Sequence, residues 1–76
     1  MNKQRRAAIQ EISDQLGSLY FALEELKDEE QEYIENMPEN LRNSERHDTA
    51  EQAVSYLEDA LSDISEAVDN CISAIE

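Results

Sequence analysis

Apolar residues recur along the first half of the chain in alternating steps of three and four: Ile9, Ile12, Leu16, Leu19, Leu23, Leu26, then Glu30, Tyr33 and Met37. This rhythm predicts a long helix with a heptad seam. Ala8, Tyr20, Ala22 and Ile34 widen the stripe beyond a strict coiled-coil ribbon, toward a bundle face. Glu30 is the one acid on it. The second half keeps the same rhythm with Ala50, Val54, Leu57, Leu61, Ile64, Val68, Cys71 and Ile75. Beside that seam runs a column of alanines, Ala53, Ala60, Ala67 and Ala74, spaced by seven. Small side chains in a column let a neighbouring helix approach toward the lower end of the usual range of about 8–10 Å.

The segment Asn36-Met37-Pro38-Glu39-Asn40-Leu41-Arg42-Asn43-Ser44 separates the two patterns. Pro38 lacks an N–H and clashes with the preceding turn, so the first helix must stop just before it. Asn36 is placed to cap a short turn holding Pro38 to Leu41, with Leu41 plugging the end of the core. The second helix has two candidate starts: Ser44, capped by its hydroxyl, and Asp48, with Glu51 completing a capping box. Ser44 is favoured, because it places acids in the first turn.

The expected architecture is all-α: one domain, an antiparallel two-helix hairpin with a helix at about 4–35, a connector at about 36–43 and a helix at about 44–75. Pairing stripes this broad covers only part of each and leaves Tyr20, Phe21, Ile34, Tyr56 and Ile72 over. A core this thin barely offsets chain entropy. A homodimer forming a four-helix bundle would bury the remainder. Gly17, the only glycine, marks either a close backbone approach or a tolerated surface position costing about 1 kcal/mol.

Charge changes the picture more than composition does. The 76 residues carry 19 acids against 6 Lys and Arg, a formal net charge of -13. Residues 1–6 are basic, through Lys3, Arg5 and Arg6, whereas residues 24–39 and 47–76 are dense in acids. Direct nucleic-acid binding is disfavoured, since the phosphate backbone demands a cationic surface. Three readings compete for such a field: it solvates the protein, it steers a basic partner onto it, or it binds cations, loosely and at the surface. The candidate partner-binding residues are Phe21, an aromatic lying off the leucine seam, and Glu24, Glu25, Asp28, Glu29, Glu32, Asp59, Asp63 and Glu66.

No catalytic or cofactor chemistry is expected. The single His, His47, is not in a Glu-x-x-His arrangement, and the acids between Asp59 and Asp69 lack the central glycine of a calcium loop. His47 beside Asp48 reads as a solvated residue at a helix start, with no nucleophile on a rigid elbow beside it. A thin hairpin offers no apolar pocket in which to raise a carboxyl pKa, so the chain is expected not to be an enzyme. Cys71 has no intrachain partner. No apolar run approaches a membrane span, no secretory leader is expected, and a cytoplasmic location fits best.

The opening Met1-Asn2-Lys3-Gln4-Arg5-Arg6, the connector Asn36-Met37-Pro38-Glu39-Asn40-Leu41 followed by Ser44-Glu45-Arg46, and the acidic alanine-led heptads together resemble small acidic helical proteins of Firmicutes phages and prophages. The resemblance implies a phage setting within a bacterial host and, by analogy of class, an inhibitor of a host nucleic-acid-processing or defence enzyme that imitates DNA and occupies its basic surface. The alternative is an accessory or structural phage protein acting through helical self-assembly.

Overall fold

The computed structural model describes all 76 residues and contains two long helices, α1 (Lys3–Glu35) and α2 (Glu45–Ile75), joined by one 3-10 turn at Glu39–Leu41. The helices pack along their length into a hairpin of 59 × 14 × 13 Å. There is no strand, and no helix is long and apolar enough to cross a membrane.

Each helix begins on a side-chain cap. The Asn2 Oδ1 accepts the Arg5 N–H at 2.8 Å, satisfying one of the orphan donors of the first turn. The Ser44 hydroxyl oxygen accepts the His47 N–H at 3.3 Å and donates its own proton to the Leu41 carbonyl. Ser44 thus starts α2 and ties the connector to it. Glu45 and Asp48 stand in the first turn of α2, where negative charge favours the helix dipole. Asn36 closes α1 rather than capping the turn: its N–H donates to Glu32 O at 3.0 Å, and the Met37 N–H to Ile34 O at 3.1 Å. The 3-10 turn begins after Pro38 without a side-chain cap. Pro38 lacks a donor, but its carbonyl accepts the Leu41 N–H at 2.9 Å.

α2 faces α1 along the expected seam. Ala50, Val54 and Leu61 are buried, and Leu57, Ile64, Val68, Cys71 and Ile75 are half-buried. On α1 the expected seam is corrected by about 50° around the helix axis, half of the roughly 100° that separates adjacent residues. Ile9, Leu16, Leu23 and Glu30 do turn inward, but the positions between them are Ser13, Tyr20, Lys27 and Ile34, while Ile12, Leu19, Leu26 and Tyr33 stay exposed. The stripe of α1 is wide enough to hold two seams that share every other member, so periodicity alone does not choose between them. Tyr20 and Lys27 accept the inward positions because an amphipathic side chain packs its stem and keeps its tip in water.

The resulting core is thin. The buried residues are Ser13, Met37, Ala50, Val54 and Leu61, and no large side chain is fully enclosed. Met37 closes the connector end, with Leu41 half-buried beside it. A Cβ added at Gly17 would meet nothing within 4 Å. Gly17 is therefore a tolerated glycine in an open helix face, not a point of close backbone approach.

Candidate interaction surfaces

An antiparallel helix pair has two long sides, each formed by the rows that flank the seam of both helices. On one side α1 contributes Gly17, Glu24 and Gln31, and α2 contributes Glu51, Glu58 and Ser65. A shallow groove here is lined by Tyr20, Glu24, Lys27, Glu58, Leu61, Ser62, Ser65, Glu66 and Asp69. A second groove, lined by Gly17, Tyr20, Phe21, Ser65, Val68 and Asp69, shares Tyr20, Ser65 and Asp69 with it. The two form one continuous acidic trough ending at Phe21. Phe21 is 69% exposed and meets the Tyr20 ring edge-to-face at 5.7 Å.

Lys27 is the cation of this trough. Its Nζ lies 2.9 Å from Asp28 Oδ1. The hydrogen bond to Asp28 holds the Lys27 pKa above the ordinary lysine value, outweighing an opposing desolvation effect, and the nearby charges of Asp28, Glu58 and Glu24 add to it. Lys27 therefore stays protonated through neutral pH and answers one acid of the trough.

The candidate residues do not form one patch. Phe21, Glu24 and Glu66 meet in the trough. Asp28 lies at its edge, paired with Lys27. Glu25, Glu32 and Asp59 lie on the outer ridges of the two helices and are exposed. By the helical repeat, Glu29 and Asp63 fall on the opposite long side. Glu58 and Asp69 complete the trough and were not among the sequence candidates. Their grouping with Glu24 depends on the phase of α1 against α2, which the shared seam positions leave open.

His47 is the other polar feature. Its Nδ1 lies 2.8 Å from Glu51 Oε1 and 3.8 Å from Asp48 Oδ1. The Glu51 oxygen is close but off the direction of a hydrogen bond, so the buried Nδ1 has no well-directed partner. These three side chains place one donor atom each within 4.8 Å. Asp48 and Glu51 are exposed, and the group is a local polar cluster at the start of α2. No family model, curated protein or solved structure matches the chain.

Proposed function

We propose that this chain acts by binding rather than by catalysis, and that its acidic trough receives a basic segment of a partner protein. The carrying observation is the gathering of Glu24, Glu58, Glu66 and Asp69 around one groove with Lys27 as their only lining cation, continuous with the exposed Phe21. Carboxylates of one sign steer a cationic surface into register and raise its association rate. Phe21 then supplies the apolar anchor that charge alone lacks. In a phage setting, the partner class is a host enzyme that processes nucleic acid, whose phosphate-binding surface is cationic by necessity. Capture from a bacterial lysate at low and high salt, with the wild type and with Phe21→Ala/Glu24→Lys/Glu58→Lys, tests the reading. A specific basic protein, retained at low salt, lost at high salt and lost in the triple variant, is expected. Equal capture by both proteins would refute it.

The hairpin is further proposed to work as a pair, two copies forming a four-helix bundle. Support comes from the core itself, which encloses no large side chain in a single copy. In a bundle the acidic troughs would stay on the outside, one per copy.

A further inference from the structure

The long side opposite the trough differs from it in shape and charge. Ile12, Leu19, Leu26 and Tyr33, seven residues apart, form a projecting row that is 52%, 59%, 58% and 45% exposed. The alanine column of α2 lies on the same side: Tyr33 and Ala53 line one groove. Stepping seven residues away from the connector along each antiparallel helix sets Leu26 level with Ala60, Leu19 with Ala67 and Ile12 with Ala74. A ridge of large side chains therefore runs beside a furrow of small ones. By the helical repeat the rows flanking the seam on this side hold two acids, Glu29 and Asp63, and at the connector end Glu30 and Glu45 also line the groove of Tyr33 and Ala53, together with Arg46. Tyr56, 74% exposed, adds to it.

We propose that this ridge-and-furrow side is the contact between two copies of the chain, with the Ile12–Leu19–Leu26–Tyr33 ridge of each copy seated in the Ala53–Ala60–Ala67–Ala74 furrow of the other. The inference rests on the bundle reading and specifies its face and pairing. Three features select a second copy as occupant. A compact monomer of 8.7 kDa is expected to expose about 4,700 Å², whereas this chain exposes 5821 Å². The excess, about 1,100 Å², follows from the slender 59 × 14 × 13 Å outline, and pairing along a long side removes area of the order that a stable interface needs, roughly 800 Å² per partner. The side is also self-complementary, as an isologous two-fold contact requires. A two-fold axis parallel to the helices carries each ridge onto the partner's furrow at the same level and leaves every neighbouring helix pair antiparallel. Finally, two chains of net charge -13 repel, and away from the connector this side is poorer in acids than the trough, where Glu24, Glu58, Glu66 and Asp69 gather.

Sedimentation equilibrium of the full chain, which reads mass directly, tests the contact. The wild type is expected at the mass of two chains, and Leu19→Glu/Leu26→Glu at that of one, with self-association weakened roughly thirty-fold or more. A wild type of single-chain mass would sink the bundle reading itself. A double variant that stays paired with undiminished affinity would sink this face while leaving the pair intact. Because the variant risks misfolding, oxidative cross-linking provides the second measurement, in a Cys71→Ser background. Chains carrying Leu26→Cys are mixed with chains carrying Ala60→Cys, and the mixed cross-link is expected to dominate. Dominant Leu26→Cys self-cross-links would overturn the ridge-in-furrow pairing. So would mixed cross-links no stronger than those to chains carrying Glu58→Cys.

Discussion

The two long sides of the hairpin flank the same seam and differ in what stands beside it. Next to the trough the flanking rows hold Glu24, Glu51, Glu58 and Ser65, and the open faces beyond them carry Asp48 and Asp69. Next to the furrow the corresponding rows hold Leu19, Leu26, Ala60 and Ala67. One side repels another copy and attracts cations, and the other offers apolar relief to match its own. The lesson is that charge in a helical protein is specified by row: a net charge of -13 can be concentrated on one long side and the outer ridges while the rows flanking the other side stay largely apolar.

The strongest way to break the comparison is to damage what both sides share. Leu61 is buried in the seam and also lines the trough. Leu61→Ala is expected to cost about 2–5 kcal/mol, from lost burial plus the cavity left behind. That is a large share of the stability of so small a domain. Circular dichroism melts should show a much lower midpoint or no cooperative transition, and unchanged melting would show that the seam does not hold the two sides together.

A change confined to the trough should separate the sides. Glu24→Lys/Glu58→Lys is expected to weaken basic-partner binding at low salt by about ten-fold or more through like-charge contact. Self-association should stay at its wild-type strength. If sedimentation shows the pair falling apart instead, the trough and not the furrow carries the self-contact.

Gly17 sharpens the contrast in the other direction. It sits on the trough side in open space. Gly17→Ala is expected to stabilise α1 by up to about 1 kcal/mol, raising the melting midpoint by roughly 4–8 °C, with no change in the strength of pairing. A lowered midpoint would mean that the added methyl meets something.

The smallest expected effect concerns Lys27. Its pKa is raised in the fold, chiefly by the Asp28 hydrogen bond. Its contribution is therefore complete below the unfolded lysine pKa and is lost as pH climbs through the higher folded value. Lys27→Arg keeps its charge there. The melting midpoint of the wild type should fall below that of Lys27→Arg as pH rises past about 10.4, the tyrosines being common to both proteins. Parallel curves would show that the Lys27 charge does not matter to the trough.

Much of the hairpin was legible in the amino-acid sequence, for identifiable reasons. Pro38 can stop α1 because it lacks a donor, Ser44 can cap α2 because its hydroxyl reaches the His47 N–H, and the α2 stripe is narrow enough to have one inward phase. The α1 stripe was not decidable, since Leu26 and Lys27, or Leu19 and Tyr20, are adjacent positions that each continue a heptad through Leu16 and Leu23. That one ambiguity concealed both surfaces. With Leu26 inward there is no ridge, and without the correct phase Glu58 and Asp69 have no reason to be grouped with Glu24. The acids chosen by local density, such as Glu25, Glu32 and Asp59, were scattered over the ridges because density along a helix says little about direction around it.

The slender outline of the hairpin, 59 Å long and 14 Å wide, has a hydrodynamic consequence. A particle more than four times longer than broad meets more friction than a sphere of equal mass, so a single chain should elute from a sizing column ahead of its true weight. Side-by-side pairing thickens such a particle without lengthening it and brings its frictional ratio closer to that of a sphere, whereas end-to-end joining would do the reverse.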